Sequence, residues 1–344
     1  MKNKNIICVI IVLISSIISV PNFNALTIEE FSEKSLHQNY YEKILYVGGT
    51  GPDNYTLIQD AINNASEGDF IFVYHGIYYE IVTIDKQLFI NGEGRENTII
   101  DAQKKGYTVN ITANGVSISN FTIQNGSYSG NMVNYANLFV SSCNNTIKEN
   151  IFRYSESGIM MISIDGNIIS ENIMSNNSIG LWLSGSKNIV TRNLITNNND
   201  FGIDLSGSEN EIKGNIITNN NGTGLYILDS NSNNIIGNEI SNNSIGIILT
   251  WYSENELNKD NYIFKNNIRN NKKVNAVFSE HKVFSGKNTW KNNYWGKSQI
   301  FPRPIIGIKQ TRFYYPSPFG ALWFFIPWLR FDWKPAQQPY NISI

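Results

Sequence analysis

Charge is scarce in this chain. Asp, Glu, Lys and Arg together make up 16 % of its 344 residues, and the formal net charge is −1. Phosphate recognition needs a basic surplus, so nucleic-acid binding by bulk electrostatics is excluded. Cysteine is nearly absent: Cys8 lies in an N-terminal apolar run, which leaves Cys143 alone in the rest of the chain. A fold secreted without an internal disulfide must be held by its core. The three histidines, His37, His75 and His281, are scattered, and no Cys or His pair has metal-ligand spacing. No metal and no cofactor is expected. No apolar run is long enough to span a bilayer.

Two residue types are abundant. Asn and Ile each occur 52 times. Lys2 and Lys4 precede the uncharged run Ile6–Val20, which Pro21 ends. This pattern predicts a secretory signal peptide over residues 1–25, with Ala25 at the cleavage position and an uncleaved N-terminal anchor as the alternative, and a secreted or cell-surface (periplasm-equivalent) location.

A repeat occupies the middle of the chain. Gly158, Gly180, Gly202, Gly224 and Gly246 follow one another at steps of 22 residues. Asn150, Asn172, Asn193, Asn215 and Asn238 recur beside them. One and three residues after each Gly stand Ile159 and Met161, Leu181 and Leu183, Ile203 and Leu205, Leu225 and Ile227, and Ile247 and Leu249. All ten are apolar, and alternation puts them on one face of a strand. A helical repeat is excluded by the apolar spacing of two and by clusters such as Asn176-Asn177 and Asn219-Asn220-Asn221, which suit turns. A strand pair cannot bury this face alone, but stacked units can, each strand pairing with its copy one turn on. The recurrent Asn lies between inward apolar positions. It is expected to point inward and form a hydrogen-bonded ladder. The recurrent Gly is expected to permit a tight corner or a positive φ.

On these repeats the chain resembles right-handed parallel β-helix proteins of the pectate-lyase-like class, and most closely the NosD-type periplasmic or secreted subgroup, including archaeal surface proteins. The N-terminal stretch from Tyr55 to Ala102 and the closing NTWKNNYWGKSQ carry the same resemblance. It implies an all-β, single-stranded right-handed parallel β-helix with a short N-terminal capping helix and a Pro- and aromatic-rich C-terminal tail. Read on the residues, Thr56 to Ala65 is a short amphipathic helix that shields the solenoid end. Phe70 to Tyr74, Leu88 to Ile90 and Thr98 to Ile100 read as strands. The predicted organisation is residues 1–25 signal peptide, 26–44 linker, 45–300 β-helix with regular 22-residue rungs over about 144–253, and 301–344 tail. Residues 255 to 275 lose strict register and read as one imperfect further turn.

The outer face offers one constellation. Two residues after each Gly stand Met160, Trp182, Asp204, Tyr226 and Ile248. Trp182 and Tyr226 flank Asp204, an acid between two aromatic shelves that suits sugar, so Trp182, Asp204 and Tyr226 are the candidate ligand-binding residues. Asp200, two before Gly202, shares a column with Glu156, and Asp200 and Asp204 are the candidates for acid–base catalysis. Against catalysis, the motifs of the enzymes that share this fold are missing: there is no Asn-Thr-Asp with a later Asp-Asp, no Gly-His-Gly and no Asp-Pro-His-Asp. Glu149, Glu171 and Arg192 read as a charged stripe with one ion pair. The primary expectation is an exported, non-catalytic protein that binds polysaccharide, a surface glycan or a partner. The alternatives are a polysaccharide lyase, hydrolase or epimerase, and, implied by the resemblance alone, an accessory to the maturation of a membrane or periplasmic metalloprotein. The aromatics of residues 313–333 are expected either to cap the solenoid or to meet a membrane interface or a protein.

Overall fold

The computed structural model describes residues 43–126, 136–251, 259–281, 287–314 and 321–344. The predicted signal peptide and almost all of the predicted linker lie outside the described residues. Three parallel sheets, of 11, 11 and 9 strands, run the length of the solenoid. The chain visits them in turn, so each rung adds one strand to every sheet. Rung 189–206 is typical: Ile189–Thr191, Leu194–Thr196 and Phe201–Ser206 are its three strands. This is the right-handed parallel β-helix that the repeat and its family resemblance imply.

The core is a set of aligned columns. Ile147, Ile169, Val190, Ile212, Ile235 and Ile263 pair in register through the first sheet. Phe152, Met174, Ile195, Ile217, Ile240 and Ile268 do so in the second. Ile159, Leu181, Ile203, Leu225, Ile247 and Ala276 do so in the third. Every member of these columns is buried, and each large aliphatic contributes about 1.5–3 kcal/mol.

Three corners join the sheets, and each carries its own asparagine ladder. At the middle corner Asn150, Asn172, Asn193, Asn215, Asn238, Asn266 and Asn293 link amide to amide. A second ladder runs through Asn145, Asn167, Asn188, Asn210, Asn233, Asn261 and Asn288. A third runs through Asn177, Asn198, Asn220, Asn243 and Asn271. Asn193 illustrates the bonding. Its Oδ1 accepts from Asn172 N–H at 2.9 Å and Asn172 Nδ2 at 3.0 Å, while its Nδ2 donates to Asn215 Oδ1 and Ile169 O, both at 2.9 Å. A buried amide is thus fully paired, which removes the penalty of its burial.

The residue before each ladder asparagine turns the chain in the left-handed region. Glu149, Glu171 and Arg192 have φ of 58°, 59° and 54°, and Asn176, Asn197 and Asn219 have 57°, 56° and 57°. Asn tolerates this region better than most residues, which explains the Asn-Asn pairs: the first turns the corner and the second joins the ladder.

The recurrent glycines have a different role from the one expected. None of Gly158, Gly180, Gly202, Gly224 and Gly246 is among the positive-φ residues. Their reason is crowding between rungs. A Cβ on Gly202 would stand 2.5 Å from Gly224 O and 2.7 Å from Ile217 Cγ2. Adjacent rungs leave no room for a methyl group at this column.

Both ends depart from the repeat. Helix α1, Ile58–Asn64, covers the N-terminal end with Ile58, Ala61 and Ile62 buried. Leu57 at its N-cap has no capping side chain. Glu80, from the first rung, accepts from Ile58 N–H at 2.9 Å and Gln59 N–H at 3.0 Å instead. Lys86 Nζ donates to Ile62 O, Asn63 O and Ala65 O at the other helix end. Of residues 255 to 275, read as one imperfect turn, 255–258 lie outside the described residues; 259–275 belong to rungs that keep the ladders, and partner spacing rises to 28 and 27 residues between Asn238, Asn266 and Asn293. Beyond them Arg303–Tyr314 pairs in parallel with Val274–His281 and antiparallel with Ala321–Asp332. The C-terminal hairpin therefore extends the third sheet.

Candidate functional site

The third sheet places the predicted outer column in register. Met160, Trp182, Asp204, Tyr226 and Ile248 pair in sequence, one per rung, at a spacing of roughly 4.8 Å. Trp182, Asp204 and Tyr226 are half-buried, while Met160 is covered. Asp204 has a Trp rung on one side and a Tyr rung on the other.

A fourth residue joins them. The Phe201 ring lies 5.1 Å from that of Tyr226 at an interplanar angle of 36°. Sequence reasoning missed it because Phe201 precedes Gly202 in a column otherwise filled by Ser157, Ile179, Thr223 and Ile245. An aromatic at that one position, diagonal to Tyr226, was the available signal.

The Asp204 carboxyl is the most perturbed group in the column. Burial pushes its pKa up to about 6, with no charge partner contributing. Desolvation disfavours the carboxylate, and among the described residues no donor offsets it. Burial and then the charges of Asp204 and Asp229 raise the Tyr226 phenol. A half-buried carboxyl of this kind, poised to donate or accept, marks a site candidate.

Asp200 belongs to a neighbouring column. It accepts a short hydrogen bond from the Ser178 hydroxyl. Burial, and then the Asp200 charge, raise the pKa of Glu156 two rungs away. The electrostatic pairing is therefore Glu156 with Asp200. Asp204 stands apart from both.

Elsewhere, a groove of about 620 Å³ lies at the corner between the first two sheets, lined by Arg95, Glu149, Glu171, Arg192, Ile173 and Leu194 among others. Arg192 pairs with Glu171 at 3.0 Å, and Arg95 Nη1 donates to Glu171 O at 3.3 Å. The Trp182–Tyr226 column does not line it. That column lies half-buried on the outward face of the third sheet.

Metal donors are not assembled. Among the described residues no group of three or more His, Cys, Asp or Glu converges. His75 Nδ1 sits 2.6 Å from Glu93 Oε2, and Cys143 Sγ accepts from Asp165 N–H at 3.4 Å. No helix among these residues is long and apolar enough to cross a membrane.

Three parallel sheets and ladder-lined corners define a right-handed parallel β-helix protein. Solved structures of that class are similar to it. The Dettilon tailspike protein shares 16 % identity over 79 % of this chain and 65 % of that one, with a TM-score of 0.52. The enzymatically active domain of bacteriophage CBA120 tailspike protein 2 shares 13 % over 76 % and 41 %, with a TM-score of 0.52. Pectate lyase Pel9A shares 15 % over 74 % and 80 %, with a TM-score of 0.48. No curated protein matches the chain. The model of the NosD family, periplasmic copper-binding proteins, matches residues 62–307, and the chain belongs to that family. Copper favours His, Cys and Met donors. Among the described residues no three His, Cys, Asp or Glu side chains converge, so these donors do not fit a copper site there.

Proposed function

We propose that the chain is an exported, non-catalytic β-helix protein that binds an extended polysaccharide at the cell surface. The observation that carries this reading is the column Trp182, Asp204 and Tyr226, with Phe201 beside it, on the outward face of the third sheet. Aromatic rings offer flat apolar surface to the C–H faces of sugars. The carboxyl between them pairs with hydroxyls in either protonation state. Export is supported by the Lys2–Pro21 pattern and by the periplasmic character of the family.

The test is a glycan-array screen of residues 26–344, with a product-release assay on every hit. Trp182→Ala or Tyr226→Ala is expected to weaken binding about threefold to tenfold. Binding that ignores both substitutions sinks the assignment to this face.

A second reading, a polysaccharide lyase, hydrolase or epimerase, is favoured by the Asp204 pKa of about 6, which suits a general acid near neutral pH. Under it, Asp204→Asn abolishes product release while binding persists. A third reading follows from family membership: an accessory to the maturation of a membrane or periplasmic metalloprotein. It predicts co-purification with that partner, and copper would then be held outside the described residues of this chain.

A further inference from the structure

Over three cross-strand pairs at its base, the outward face of the C-terminal hairpin is apolar. Three successive cross-strand pairs share it: Pro304 with Phe331, Ile306 with Leu329 and Ile308 with Pro327. Ile306 is 64 % exposed, Leu329 49 % and Ile308 40 %, and Trp333 just beyond is 70 % exposed. This is the face that carries the Trp182–Tyr226 column, because Ile248, Val277 and Ile306 continue it. Earlier rungs interleave polar groups such as Asp204 and Ser206 here, but these three pairs have none.

A basic groove adjoins this face. It holds about 410 Å³ at the hairpin base and is lined by Lys273, Lys297, Arg303, Trp295 and asparagines including Asn270 and Asn275. The Arg303 guanidinium lies 5.9 Å from the Trp295 ring centre, and none of the three cations forms an ion pair among the described residues. The charge balance shifts here as well. Residues 296–344 contain Lys297, Arg303, Lys309, Arg312, Arg330 and Lys334 against Asp332 alone, in a chain of net charge −1. That one acid is buried.

We propose that the hairpin docks on an anionic lipid surface, with a lipid phosphate in the Lys273–Lys297–Arg303 groove and the Ile306–Leu329 face in the interfacial layer. A flat apolar face rimmed by cations and aromatics matches that layer in polarity and charge. A second copy of the chain added to the sheet edge is disfavoured by Pro327, which removes a backbone donor from the edge strand. This inference does not depend on the polysaccharide reading.

The test is flotation of the purified chain with vesicles of phosphatidylcholine mixed with phosphatidylglycerol, and with vesicles of phosphatidylcholine alone. Binding to the anionic vesicles is expected, weakening as salt rises. Lys273→Glu with Lys297→Glu is expected to lower that binding at least about tenfold. Ile306→Asp with Leu329→Asp is expected to do the same. Should the second pair disturb the hairpin, the lysine pair, which lies outside it, still decides. Equal binding to both vesicle types overturns the proposal. So does full competition by inorganic phosphate, which would make the groove a site for free anion. Dimers in light scattering that the Asp pair dissolves, without vesicle binding, would assign the face to a second copy.

Discussion

Asn193 and Asn293 occupy the same corner of the solenoid but are satisfied differently. In the middle rungs Asn193 passes an Nδ2 hydrogen to the next asparagine, and the backbone carbonyls of Ile169 and Thr191 also accept from it. At the C-terminal end Asn293 has no asparagine beyond it. The buried Asp332 takes that place, accepting from Asn293 N–H at 2.8 Å, Asn293 Nδ2 at 3.1 Å, Asn292 N–H at 3.0 Å and Trp295 Nε1 at 3.1 Å. The N-terminal helix is closed in the same spirit by Glu80 and Lys86. Repetition satisfies the interior by symmetry. The ends need residues of another kind, brought from a distance.

The contrast breaks most sharply in the middle. Asn193→Leu strips the acceptor from Asn172 and the donor from Asn215 inside a dry column. The expected loss is about 3–5 kcal/mol in urea unfolding, since buried partners are left unpaired on both sides. Asp332→Ala should cost less, about 2–3 kcal/mol, because the orphaned donors lie near the end, where water can enter. A loss at Asp332 equal to that at Asn193 would mean that end and interior are one cooperative unit.

Asp204 sharpens the comparison from the opposite side. Asp332 is a buried carboxyl with five donors, Lys334 N–H at 3.2 Å among them, whereas Asp204 is a half-buried one with none among the described residues. Its pKa is raised in the folded state, so the fold holds a proton that the unfolded chain releases earlier. The stability penalty is absent below about pH 4, grows as pH rises, and is complete above about pH 6. Asp204→Asn is therefore expected to stabilise the protein by up to about 2 kcal/mol at neutral pH and by nothing below pH 4, as read from thermal midpoints across pH. A pH-independent effect would remove burial as the cause. A carboxyl held at such a cost to stability is what a binding or catalytic role would explain.

How much was legible follows from the same contrast. The strand faces, the middle ladder positions and the Trp182–Asp204–Tyr226 column follow from steps of about 22 residues, because stacking turns sequence period into spatial register. The other two ladders were equally periodic, with Asn167, Asn188, Asn210 and Asn233 spaced 21, 22 and 23 apart. The third was missed because its Asn-Asn pairs also read as turns, and the first residue of each pair does turn. The glycine column was legible in position but not in cause, since inter-rung crowding has no local signature. The shared column of Glu156 and Asp200 was legible from their spacing to Gly158 and Gly202, but the Phe201 ring contact and the separation of Asp204 from both acids required the folded geometry.

Sequence alone therefore determined the solenoid, its rung length and its inward and outward faces. A period of two within strands and of 22 between them admits no other packing of these apolar positions. Only the tertiary structure decided what closes the ends and what the outer face becomes. Glu80 meets helix α1, Asp332 meets Asn293 and Ile306 prolongs the Asp204 column through contacts that no repeat encodes. Such contacts depend on how a non-repeating segment folds back onto the stack, and periodicity carries no information about that.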